Sequence, residues 1–168
     1  NTLVINITMG VSQGTQPLIS FQNGRGDGSA IGKLLRYGLR TMCGIAVVCF
    51  SALFLAAPVL VGVFLPDANP EMLAFATDAF RRYSLCYLPV GFNIYIAGFL
   101  TAMERPMSAV TISTGRGLIL QGGILLLLAA IIGGNSIWFA PLLSELLCLV
   151  LSVIFLLRLK KSYETLSP

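Results

Sequence analysis

Residues 41–66 read TMCGIAVVCFSALFLAAPVLVGVFLP, twenty-six residues without a charge between Arg40 and Asp67. A bilayer span needs about 20 mostly apolar residues, a length that the elements of a soluble core do not require. The pattern returns twice. Residues 83–103, between Arg82 and Glu104, carry no charge, and neither do residues 117–144, between Arg116 and Glu145. The last run is interrupted by Gly133-Gly134-Asn135-Ser136. Over the whole chain of 168 residues, 56% are hydrophobic and only 11% charged, against roughly 25% charged in a soluble domain. Burial in lipid accounts for the missing charge. Strands are disfavoured, because an open sheet edge stays unsatisfied in hydrocarbon. The expected fold is an all-α membrane protein.

Five spans are expected, at about residues 3–21, 39–65, 80–103, 107–132 and 137–159. The first is the weakest by hydropathy, with Asn6, Gln13, Gln16 and Pro17 inside it. Between the first two spans, Gly24, Gly26, Asp27 and Gly28 read as a flexible turn. Lys33, Arg36 and Arg40 follow at helical spacing with Ile31, Leu34, Leu35 and Leu39 between them. The linker 23–38 therefore reads as a short amphipathic helix on the membrane surface.

Charge sets the orientation. One set of loops and span ends collects Arg25, Lys33, Arg36, Arg40, Arg105, Arg158, Lys160 and Lys161. The opposite set has Arg81 and Arg82 beside Asp67, Glu71 and Asp78. By the positive-inside rule the first set is cytoplasmic, which puts Asn1 outside and Pro168 inside. A chain that opens mid-span without Met reads as the tail of a longer protein.

Several function classes fall away. The net charge of +4 forms no basic stripe with interleaved aromatics, so nucleic acid is not an expected partner. The chain has no histidine, no paired carboxylates and no activated nucleophile, so it is not expected to be an enzyme. Cys43, Cys49, Cys86 and Cys148 lie in apolar runs without a Cys-x-x-Cys and read as small hydrophobes. No cofactor or metal site is expected. Gly24 to Gly28 lacks the preceding strand and following Gly-Lys of a phosphate cradle. Arg25-Gly26-Asp27 falls on the cytoplasmic side, and the Asn6-Ile7-Thr8 sequon falls within a span.

Polar residues within spans are the candidate site, because an ionisable group in lipid is expensive, about 2.5–3.5 kcal/mol on insertion scales. Arg116 and Glu145 stand out. Counted from a turn at Gly134-Asn135, they differ in depth by about 12 Å, so no direct pair is expected. Arg116 is level with Asn93, and Glu145 is nearest in depth to Gln121. Arg116 reads equally as a snorkelling or a hydrogen-bonded residue; Glu145 reads as facing the bundle. In the first span Asn6, Gly10, Gln13 and Pro17 recur at four- and three-residue steps. That face lines a water-filled cavity or packs on a neighbour through Gly10 and Gly14. Pro17, Pro58 and Pro89 read as interruptions of three helices.

The stretch GVSQGTQPLISFQNG, residues 10–24, resembles the end of the eighth helix in multidrug and toxic compound extrusion (MATE) transporters. Phe99 to Met103 is similar to the family's tenth-helix end. Ser113 to Arg116 is similar to a pattern in the eleventh helix. Trp138, Pro141, Ser144 and Glu145 resemble the opening of the twelfth. The resemblance implies that residues 1–168 are part of the C-terminal lobe, helices eight to twelve of a twelve-helix transporter. It implies partners: the N-terminal lobe, the lipid bilayer and small amphipathic or cationic drugs. It also implies drug export in exchange for Na+ or H+, from the plasma or inner membrane. The family's lobe cation site does not carry over, because the tenth helix here offers Asn93 and no carboxylate. A flippase or polysaccharide exporter of the same superfamily is the alternative within transport. A non-transporting scaffold or assembly subunit is the alternative outside it. The transport candidates are thus Asn6, Gln13, Gln16, Pro17, Asn93, Arg116, Gln121 and Glu145.

Overall fold

A computed structural model describes residues 2–131 and 138–164, without the side chains of 162–164. These residues form helices α1 (Thr2–Gly24), α2 (Gly28–Phe64), α3 (Pro70–Ser84), α4 (Tyr87–Ala102), α5 (Pro106–Thr114), α6 (Gln121–Ile131) and α7 (Ala140–Glu164). A π-helical segment, Gly115–Leu120, joins α5 to α6 without a break in the rod. No strand occurs among the described residues. The expected turn at Gly134-Asn135, with the adjoining ends at Ile132 and Ile137, lies outside them.

Four stretches are long and apolar enough to cross a membrane: Gly28–Phe64, Pro70–Ala102, Pro106–Ile131 and Ala140–Lys161. With its 23 residues α1 has the length of a fifth, but its polar residues dilute its hydropathy. Leu55, Val59 and Phe64 of α2 and Val150 and Leu157 of α7 stand exposed. So wide an apolar surface belongs against lipid. The protein is an all-helical, multi-pass membrane protein.

The turns at one end explain how the hairpins close. After Gly24, the Asp27 amide donates to Gln22 O at 3.1 Å and the Gly26 amide to Asn23 O at 3.0 Å. Gly26 takes a φ of +70°. This pair of bonds is a Schellman cap, which favours glycine because a left-handed φ crowds any Cβ. Asp27 then caps the next helix, its carboxylate accepting from the Ala30 amide at 2.9 Å. The expected flexible turn is therefore a tight double cap. Nothing between Lys33 and Leu39 stops a helix, so the amphipathic segment and the second span fuse into one. The same Schellman pattern ends α4, where Arg105 N donates to Leu100 O at 2.9 Å and Glu104 N to Thr101 O at 3.1 Å. There the left-handed position is Glu104, with φ +58°, and Pro106 starts α5, where its missing N–H costs nothing.

At the opposite end Asn69 caps α3, accepting from the Met72 amide at 2.8 Å. Here Arg81 lies 5.1 Å over the Phe54 ring and Arg82 lies 5.6 Å over Phe139. Residues 80–103 are divided: α3 ends at Ser84 and α4 starts at Tyr87. Pro89 falls in the first turn of α4, where a proline breaks no hydrogen bond. Pro17 and Pro58 do lie inside helices, in α1 and α2.

Buried over most of its length, α4 is the axis around which α1, α2, α5 and α7 assemble. Its glycines let neighbours approach. A Cβ at Gly98 would overlap the Ser12 hydroxyl of α1 and sit 2.9 Å from Gln16 Nε2. At Gly91 it would lie 3.2 Å from Thr8. On α2, a Cβ at Gly38 would strike the Tyr95 ring, whose hydroxyl donates to Leu34 O at 3.0 Å. The close contact between α1 and α4 thus uses Thr8 and Ser12 against glycines of α4. Gly10 and Gly14 have open space where a side chain would stand, so they are not the packing residues.

Candidate functional site

Three helices bring polar side chains together in the apolar interior. Asn93, fully buried on α4, donates from Nδ2 to the Glu145 carboxylate at 2.7 Å and to the Glu145 backbone oxygen at 2.9 Å. The Ser152 hydroxyl donates to Asn93 Oδ1 at 3.0 Å. The two donor bonds of the Asn93 amide nitrogen and the one bond accepted by its oxygen are thereby all made to α7. Arg116, from the π-helical segment, places Nη1 3.5 Å from the other Glu145 oxygen. Glu145 is the one buried acid among the described residues.

This geometry corrects the register argument. Arg116 and Glu145 were expected to stand about 12 Å apart in depth, and they form an ion pair instead. The count assumed two straight α-helices of equal pitch meeting at a symmetric turn. Neither side keeps that pitch: Arg116 sits in a π-helical stretch, whose wider turns advance less per residue, and α7 begins only at Ala140. The long arginine side chain spans what remains. Arg116 does share a cavity with Asn93, but Glu145 stands between them as the common partner.

Two cavities adjoin this cluster, and Arg116 lines both. The first, of about 200 Å³, lies between α1, α4 and α5, with Gln13, Gln16, Asn93 and Ser113 on its walls. The second, of about 100 Å³, is lined by Gln121, Glu145, Tyr83 and Cys86 among others. Gln13, Gln16, Asn93, Arg116, Gln121 and Glu145 therefore converge. Asn6 and Pro17 do not; both are exposed on α1, away from either cavity. Ser12, Ser113, Ser144, Cys148 and Ser152 line the cavity or the buried interior beside it and are not among the transport candidates read from sequence. Ser144, Cys148 and Ser152 recur every four residues along one face of α7, a small-residue stripe that a helical-period reading can detect.

Chemically, the cluster can hold a carboxylate between a guanidinium and an amide, beside space wide enough for water or a small solute. The ion pair leaves little net charge at the junction of the cavities. Exposure of about a quarter of the Arg116 side chain, against 9% for Glu145, places the arginine on the open side of the pair.

Neither a curated protein nor a solved structure matches the chain. Residues 1–121 match the model of the MatE family, which takes in α1 to the start of α6 and includes Gln13, Gln16, Asn93 and Arg116. That match covers well over half of the sequence, and with the all-helical membrane architecture it leads to one assignment. The chain belongs to the MatE family of membrane transporters.

Proposed function

We propose that the chain supplies five helices of the second lobe of a secondary transporter that exports amphipathic or cationic drugs in exchange for Na+ or H+. The observation that carries this reading is the buried Asn93–Glu145–Arg116 network opening onto a cavity lined by Gln13 and Gln16. A bundle that only packs has no use for an interior carboxylate and two glutamines beside open space. The substrate path runs along the cavity between α1, α4 and α5, and Glu145 is the carboxylate on which a coupling ion acts. The basic end, with the turns at Gly26 and Glu104 and the last turn of α7, is the cytoplasmic one, in a plasma or inner membrane. A flippase reading calls for a basic cleft, and among the described residues the sole cation on this cavity wall, Arg116, is already paired. A scaffold reading leaves the cavity unexplained.

The test is efflux of a fluorescent cation from cells carrying the transporter. Glu145→Gln keeps the side-chain shape and removes the charge. It is expected to reduce efflux at least tenfold and to weaken its dependence on the ion gradient. Gln13→Leu with Gln16→Leu is expected to change which drugs are exported. Wild-type efflux and ion dependence in Glu145→Gln overturns the reading.

A further inference from the structure

The two cavities that meet at the polar cluster do not lie side by side. On each helix that borders both, the second takes the residues farther from the turns at Gly26 and Glu104. It has Ile5 against Gln16 on α1, Val90 against Thr101 on α4, and Gln121 against Ser113 on the rod from α5 to α6. The cavities are therefore stacked along the bundle axis, one toward each membrane face. Among the described residues Arg116 alone lines both. Its neighbours are divided between them: Asn93 borders only the first cavity and Glu145 only the second. Each cavity, of about 200 and about 100 Å³, exceeds the roughly 15 Å³ that one water needs, and each has polar walls. A single guanidinium thus stands where a hydrated path along the lobe would run.

We propose, on the reading of Glu145 as the coupling carboxylate and of the coupling ion as H+, that Arg116 is a proton barrier confining exchange at Glu145 to the second cavity. A hydronium in that cavity gives its proton to Glu145 Oε1 and becomes water. The neutral acid no longer holds Arg116, but a guanidinium keeps its charge whether or not Glu145 carries a proton. It remains at the junction, and a fixed positive charge in a narrow path turns protons back. The proton therefore cannot slip into the first cavity, and its release there waits for the transporter to change shape. A proton also suits this carboxylate better than a metal ion does. Both of its oxygens already meet N–H groups, from Asn93 and Arg116; a metal ion must displace both and find other oxygens, whereas a proton needs one oxygen alone. Among the described residues Arg116 is the one charged side chain facing Glu145. The other titratable groups there are Tyr83 and Cys86 on the second cavity and Cys148 on α7, while α1 contributes Ile5 and α4 contributes Asn93 and Val90, none of which titrates.

Proton flux into liposomes holding the purified full-length transporter tests this, with a pH gradient, an enclosed pH-sensitive dye and no drug. The parent is expected to stay tight. Arg116→Ala removes the barrier and is expected to raise the leak by about tenfold or more, the scale on which charge in a cleft alters the arrival of ions. Glu145→Gln added to that variant is expected to return the leak to the parent level, since an amide does not relay the proton. A tight Arg116→Ala that still elutes as a folded transporter overturns the proposal, and so does a leak that survives Glu145→Gln. Because no drug is present, this outcome is separate from the efflux test: lost efflux in Glu145→Gln beside a tight Arg116→Ala overturns the barrier alone. Should Arg116→Ala fail to fold, Gln121→Trp decides. It fills the second cavity and is expected to stop drug-driven proton uptake; unchanged uptake overturns the proposal.

Discussion

Replacing Glu145 by leucine removes the acceptor of two interactions at once, the 2.7 Å bond from Asn93 and the 3.5 Å ion pair with Arg116. Asn93 keeps its 2.9 Å bond to the backbone oxygen of residue 145, so its amide is not stranded. Arg116 is the greater problem. Breaking a fully buried pair costs about 3–5 kcal/mol, because the remaining charge has no counter-ion. Arg116 borders two cavities and is partly exposed, so water recovers part of that, and about 2 kcal/mol is the expected loss. The lost bond from Asn93 adds about 0.6 kcal/mol, the average for interhelical bonds in a membrane. Arg116→Leu should cost a similar amount by leaving Glu145 alone. The double variant Arg116→Leu/Glu145→Leu carries no buried charge, and replacing such a pair by apolar groups is often neutral. It should unfold within about 1 kcal/mol of the parent, while the two single losses together come to about 5 kcal/mol, giving a coupling energy of about 4 kcal/mol. Equilibrium unfolding in mixed micelles measures all four corners of the cycle. A double variant as unstable as the sum of the two single ones would refute the argument, because the pair would then carry no energy. The double variant should still fail to transport, which separates stability from activity.

Two further outcomes follow from backbone geometry. Gly98→Ala forces a Cβ onto the Ser12 hydroxyl and should cost about 1–3 kcal/mol by overpacking. Gly14→Ala, with open space around it, should be neutral or stabilise by up to about 1 kcal/mol through helix propensity. Thermal melting of the two variants checks the contrast; equal effects would contradict the packing described for α1. Glu104→Gly relieves a left-handed φ of +58° and should raise the melting midpoint, the strain being about 1 kcal/mol. A lowered midpoint would mean that the glutamate carboxylate does more at that turn than its backbone costs.

The membrane class and the helix order were legible because charge-free runs such as residues 41–66 are long and sharply bounded. The candidate polar residues were legible for the same reason, since Asn93, Arg116 and Glu145 are conspicuous in apolar surroundings. Their pairing was not. A depth count needs uniform helices, and no residue between Gly115 and Leu120 announces a π-helical turn; the glycines there permit one without requiring it. Of the two readings of the α1 face, packing through Gly10 and Gly14 does not hold within the described helices. Gly10 and Gly14 fit a small-residue packing pattern, but the glycines that admit the neighbour belong to α4, and Thr8 and Ser12 are what they admit. One helix's periodicity cannot say which partner supplies the hollow. Length gave the boundary of the second span, yet the helix continues through the amphipathic segment because no proline follows Gly28 before the span begins, and Gly32 and Gly38 weaken a helix without ending it.

That continuity has a mechanical meaning. At about 1.5 Å per residue, the 37 residues of α2 make a rod about 55 Å long, against a hydrocarbon layer of about 30 Å. Almost half of the rod must project into the headgroup layer or be taken up by tilt. With no proline before Pro58, the basic turns and the first lipid-embedded turns pivot as one lever. A change in bilayer thickness that alters the tilt of the buried arm swings the basic arm through the same angle. The seal that Tyr95 makes against Gly38, near the fulcrum, would feel that swing first.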